Sequence, residues 1–155
     1  MKLKFLIISI LFFASIDLFA CSCGGGEVME EEMNRSDIVF VGRVISRKVK
    51  TYTTDEKLES GKYLKYKYLE YSIIVSEQFK GEHRKVIKIA TAKQGATCGM
   101  RFKLFKKYVV YAFDSERYGL WTDTCVGNIG NSVTKFKKKI FDREIADLRK
   151  LTAKT

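Results

Sequence analysis

The sequence predicts a mainly β protein: about five strands closed into a small barrel, with a short helix before them and an amphipathic helix after. Three observations carry this. Aromatic and β-branched residues recur in separate stretches between residues 38 and 124, some in period-2 alternation. The tail changes to an apolar stripe at helical spacing. All four cysteines lie beyond residue 20, as in a small exported fold stapled by disulfides.

In chain order, residues 1–20 read as an export signal. Lys2 and Lys4 open it, residues 5–14 are apolar apart from Ser9, and Ala20 precedes Cys21. The apolar run of about 10 to 12 residues is short of the ~20 a spanning helix needs, and no later stretch is longer, so the mature form is expected to lack a transmembrane segment. Residues 27–37 suit a short helix, acidic at its start, with Val28, Met29 and Met33 as its apolar side. Residues 38–45 are continuously apolar apart from Gly42 and Arg43, a buried strand. The polar residues 50–62 read as a loop or hairpin tip.

A long strand follows over 63–79, where Tyr71, Ile73 and Val75 alternate with Ser72, Ile74 and Ser76. Lys80-Gly81-Glu82-His83 is turn-like. Residues 85–92 alternate again, and a loop over 93–97 delivers Cys98. Residues 107–113 form a strongly apolar strand, 119–124 a short one ending at Cys125, and 126–132 a Gly- and Asn-rich loop. Phe141, Ile145, Leu148 and Leu151 then mark a helix over 135–151, its stripe expected to pack on the core. With no proline, repeat or low-complexity linker, residues 21–155 are expected to be one domain and a monomer.

The formal charge is +11, and losing Lys2, Lys4 and Asp17 with the signal leaves +10 on 135 residues. Charge of that size concerns partners and solubility rather than fold. For an exported protein it points to polyanions such as polysaccharide or anionic lipid, and away from nucleic acid. Cys21 and Cys23 are too close for an easy mutual bridge, so both are expected to reach the later pair, Cys98 and Cys125. Zinc ligation would need a different spacing, since one C-x-C and a single histidine, His83, do not make a usual site. No metal or cofactor of its own is expected. An enzyme is the poorest class: His83 sits in a Lys-rich turn, no cysteine is left free, and Asp37 and Glu77 have no visible partner.

Several segments then fall into a familiar order: Cys21-Ser22-Cys23 at the mature start, Ser36-Asp37-Ile38-Val39-Phe40-Val41-Gly42-Arg43-Val44, Phe79-Lys80-Gly81, Cys98-Gly99 with Phe102, Tyr108-Val109-Val110-Tyr111-Ala112, and Thr124-Cys125. From Cys21 to about Cys125 the chain resembles the inhibitory N-terminal domain of the tissue inhibitors of metalloproteinases, within the netrin-like group. The resemblance implies a five-stranded barrel of the OB-fold type and two bridges, Cys21–Cys98 and Cys23–Cys125. These would join residues 77 and 102 apart, each worth roughly 4 to 5 kcal/mol in the chain-entropy account. The chain departs from the family pattern in lacking cysteines for a third bridge, in Gly24-Gly25-Gly26 where relatives usually have proline, and in Phe105 where a turn glycine is expected.

The resemblance also implies a secreted inhibitor of zinc metalloendopeptidases. The α-amine and carbonyl of Cys21 would grip the protease zinc, Ser22 would enter the adjoining specificity pocket, and Cys23, Ala96 and Thr97 would add contacts. A catalytic zinc keeps one position open for such a ligand. The rival is a non-inhibitory binding module for polyanions or cell-surface partners, using Tyr63, Tyr66, Tyr68 and Tyr71 among Lys62, Lys65 and Lys67. Half of those tyrosines are expected to face the core, and Trp121 to be a packing anchor. The expected location is extracellular or periplasmic. The alternative is a lipid anchor at Cys21, since Leu18-Phe19-Ala20-Cys21 loosely resembles a lipoprotein processing site. Even pairing of four cysteines argues for ordinary cleavage.

Overall fold

The computed structural model describes Cys23 and residues 29–93, 98–131 and 134–153. Its elements run α1 (Met29–Arg35), β1 (Ile38–Lys57), β2 (Tyr63–Lys80), β3 (Val86–Ala92), β4 (Lys107–Ser115), β5 (Gly119–Trp121), β6 (Ile129–Gly130) and α2 (Lys135–Thr152). Hydrogen-bonded neighbours follow the order β1-β2-β3-β5-β4, and β4 pairs back onto β1 from Ile38↔Ala112 to Arg43↔Lys107. Five strands therefore close into a barrel of the OB-fold type, which removes the sheet edges. The two-residue β6 caps the part of β4 that β5 leaves uncovered, at Tyr108 and Val109.

Residues 38–44 and 108–112 read as almost unbroken apolar runs because both faces of these strands are buried. Phe40, Val44, Tyr108, Val110 and Ala112 point into the barrel with Tyr71, Ile73 and Ile89. Val39, Val41, Val109 and Tyr111 point outward and are covered by Phe141 and Leu148 of α2, with Met29 and Met33 of α1 beside them. Alternation thus serves two cores at once, as in strands packed on both sides. Phe102 closes the barrel interior edge-to-face with Tyr71 at 5.1 Å and Tyr108 at 4.9 Å.

β1 curves from one neighbour pair to the next through Gly42, where a Cβ would lie 2.5 Å from the Ile73 side chain and 2.7 Å from the Ile74 carbonyl. Only glycine fits that approach. Beyond Arg43 the strand leaves β4 and pairs with β2 alone as far as Lys57. The polar stretch 50–57, expected to be loop, is therefore strand. It stands in a two-stranded ribbon outside the barrel, where no core demands apolar residues. The turn itself is confined to residues 58–62.

Two acids without visible partners in the sequence have structural ones. The Asp37 carboxylate accepts the Asp114 N–H at 2.6 Å. Glu77 takes the Arg149 guanidinium in a two-bonded fork, both at 2.7 Å, tying α2 to β2. That hydrogen bonding holds the Glu77 carboxyl below its ordinary range.

Phe105, at the position where a turn glycine was expected, has φ 63°. The turn is pinned to β1, Phe105 N–H donating to the Val44 carbonyl at 2.8 Å and Val44 N–H to that of Lys106 at 3.1 Å. A left-handed backbone costs a side-chain-bearing residue roughly 1–2 kcal/mol, while glycine gives back part of the gain as chain entropy. Phe105→Gly is therefore expected to raise stability by up to about 1 kcal/mol, and Phe105→Ala to give none of that gain, as read by thermal and denaturant melts.

Candidate functional site

The cysteines converge on one part of the barrel. Cys23 and Cys125 are joined in a disulfide, Cα atoms 5.1 Å apart across 102 residues of sequence. Cys98 is likewise disulfide-bonded. Its expected partner Cys21 lies outside the described residues, as do Ser22, Ala96 and Thr97. The segments holding Cys98 and Cys125 are themselves paired. Gly99 and Asp123 form a β-bridge, and Thr124 N–H donates to the Cys98 carbonyl at 2.8 Å.

Close packing explains why glycine follows Cys98. A Cβ on Gly99 would lie 2.0 Å from the carbonyl oxygen of Ala92, the last residue of β3. The backbone must pass this near for Met100 N–H to reach the buried Thr91 hydroxyl at 2.8 Å. On the other side, one Asp123 carboxylate oxygen accepts the N–H groups of Cys125 at 2.8 Å and Val126 at 3.2 Å. This local turn fixes the backbone at Cys125, the residue that holds Cys23.

Behind the cystine, Tyr111 is the junction. Its carbonyl accepts the Thr122 hydroxyl at 2.7 Å, its N–H donates to Asn128 Oδ1 at 3.0 Å, and its own hydroxyl donates to Glu144 of α2. Asn128 Nδ2 completes the circuit by donating to Thr122 Oγ1 at 2.7 Å and to the Asp123 carbonyl at 3.0 Å. Burial pushes the Tyr111 phenol well up, reinforced by its bond to Glu144. Burial also raises the Glu144 carboxyl, more than the tyrosine bond lowers it.

A cleft of about 370 Å³ opens beside Cys98, with Tyr66, Tyr68, Tyr118, Trp121, Lys67 and Asp123 among its walls. Tyr118 organises it, meeting Tyr68 at 5.0 Å, Tyr52 at 5.6 Å and Trp121 at 4.7 Å. Arg117 lies over the Tyr52 ring at 4.9 Å. The tyrosines of β2 divide: Tyr71 is buried in the barrel, Tyr63 and Tyr66 are exposed, and Tyr68 is half-buried. Trp121 is half-buried against Tyr118, and His83 is exposed in the turn after β2. Tyr52 and Tyr118 escaped the sequence reading. The one signal for Tyr118 was its place in the turn Arg117-Tyr118-Gly119 next to Trp121.

A closed barrel with its N-terminal cystine clamped to the loop after β5 defines a netrin-like module. The family model for tissue inhibitor of metalloproteinase matches residues 19–135, and the chain belongs to that family. Members of the family are inhibitors rather than enzymes, and it points to metalloproteinases as partners. No curated protein matches the chain. Among the described residues, no helix is long and apolar enough to cross a membrane.

Two outcomes are expected. Gly99→Ala forces the Cys98 segment off β3 and should cost about 1–3 kcal/mol, seen as a lower denaturant midpoint. A buried acid with a raised pKa favours the native state when protonated. Its contribution is fully present below the ordinary carboxylate pKa and is lost as pH rises through the raised value. Glu144→Gln keeps an acceptor for the Tyr111 hydroxyl but does not titrate. Its melting temperature relative to the parent protein should therefore climb from acid to neutral pH.

Proposed function

We propose that the protein is a secreted metalloendopeptidase inhibitor whose N-terminus enters the protease active site. In this reading residues 1–20 are removed on export, Cys21 becomes the first residue of a single domain over 21–155, and it pairs with Cys98. The α-amine and carbonyl of Cys21 then bind the protease zinc in place of its water. Ser22 enters the adjoining pocket, with Cys23, Ala96 and Thr97 contributing around it. The observation that carries the reading is the Cys23–Cys125 bridge, set against the paired Cys98-Gly99 and Asp123-Thr124 segments. A chain start tied two residues away from that bridge has few conformations to lose on binding, which is how preorganisation improves affinity.

The chemistry suits the ligand. A terminal amine titrates at about 7.7 to 8, so it is available to a metal near neutral pH without strong activation. Because only the neutral amine binds, inhibition should weaken as pH falls, approaching about tenfold per unit below that range, after correction for the protease's own profile. The aromatic cleft beside Cys98 supplies a further surface next to the wedge, with Tyr66 and Trp121 in its walls.

The direct test compares the oxidised protein starting at Cys21 with a version carrying one extra Ala ahead of it, against a panel of zinc endopeptidases. Inhibition is expected from the unextended form alone. Equal inhibition by both, or none by either, would remove the zinc-binding role of the amine.

A further inference from the structure

A second surface, sharing no wall residue with the cleft beside Cys98, combines cations with exposed apolar side chains. Lys103 and Lys106, which flank Leu104 and Phe105 in one turn, line a hollow of about 410 Å³ together with Lys137 and Ile140 of α2. Leu104 is 43 % exposed, Phe105 65 %, Phe136 74 % and Ile140 36 %. All three lysines are exposed as well. Large apolar groups this open usually mark a surface that meets something.

Two features show that the patch is built against local stability. Phe105 is held outward by a left-handed backbone, pinned by Val44 and by the Lys103 N–H donating to the Tyr108 hydroxyl at 2.9 Å. Strain of this kind concentrates at functional positions. The first turn of α2 carries no acidic residue, and Lys137, Lys138 and Lys139 sit near the positive end of the helix dipole. Lys138 is offset by Asp142 at 2.7 Å. An external anion would relieve the rest.

We infer that this face docks onto anionic lipid bilayers. Lys103, Lys106 and Lys137 would meet headgroup phosphates, while Phe105, Phe136 and Leu104 enter the acyl boundary. That is the division of labour of interfacial membrane binders. A sulfated polysaccharide would use the lysines and leave the aromatic side chains idle, so the apolar half of the patch favours lipid. The inference does not depend on protease inhibition.

The test is co-sedimentation of the oxidised, exported protein with phosphatidylcholine vesicles, with and without phosphatidylglycerol, next to immobilised heparin. Mass spectrometry first establishes that Cys21 carries no lipid. Binding is expected only to the anionic vesicles, weakening with salt. Phe105→Gly combined with Phe136→Ser should weaken it by about tenfold or more, and Lys103→Gln with Lys106→Gln and Lys137→Gln by at least as much. Melting curves keep the result readable, since Phe105→Gly is expected to relieve strain rather than unfold the turn. Unchanged vesicle binding in the aromatic variant overturns the inference in favour of a purely electrostatic site. Heparin binding without vesicle binding assigns the patch to polysaccharide, and binding to neither overturns it outright.

Discussion

Everything at the candidate site depends on the pairing of two short segments, Cys98-Gly99 and Asp123-Thr124, the first of them held against β3 at a distance only glycine permits. Because Gly99 has no side chain, the first segment lies against the end of β3. Its carbonyl at Cys98 then holds Thr124, and Thr124 precedes the cysteine that captures Cys23. Three consecutive glycines, Gly24 to Gly26, follow Cys23 in the sequence, and glycine is the residue with most backbone entropy to lose on folding. The covalent tie is useful only because the segment that receives it is already held by the barrel through Thr122, Asn128 and Tyr111.

That support reaches the helix. Tyr111 is buried between barrel and α2 and uses every polar group it has, two toward the cystine loop and one toward Glu144. The raised carboxyl of Glu144 is the cost of placing an acid beneath a helix. The same residue gives the loop a link to the opposite layer. On the far side, the Glu77–Arg149 fork fixes α2 to β2. Its 2.7 Å geometry is good, but Arg149 is 61 % exposed, so solvent screens much of its value. The buried Phe141 and Leu148 contribute more to holding the helix than that ion pair does.

The barrel strands were legible wherever burial imposed a pattern. Residues 38–45 and 107–113 announced themselves because both faces are covered, and 71–75 because one face is. The same logic explains the misreadings. Residues 50–57 are strand with Thr54 as their one buried residue, so their threonines and charges looked like a loop. β6 is only two residues in a Gly- and Asn-rich stretch, too short to carry any period. Thr91 and Thr122 are fully buried although polar, because their hydroxyls bond to distant backbone, Thr91 accepting from Met100 and Thr122 donating to Tyr111. Phe105 is the opposite case. Its departure from an expected glycine was visible in sequence, and its φ turns that departure into measurable strain. Of the site residues, Cys23, Cys98 and Cys125 fall within the described structure, whereas Cys21, Ser22, Ala96 and Thr97 do not.

The outer ribbon of β1 and β2 has one more implication. Beyond the barrel the two strands pair only with each other, and Tyr52 alone stacks on Tyr118 from there, so a change confined to the exposed turn at residues 58–62 leaves that contact in place. An exposed turn of this kind tolerates substitution and insertion better than the stapled end does. Such an appendage is where recognition of new targets evolves at least expense to folding.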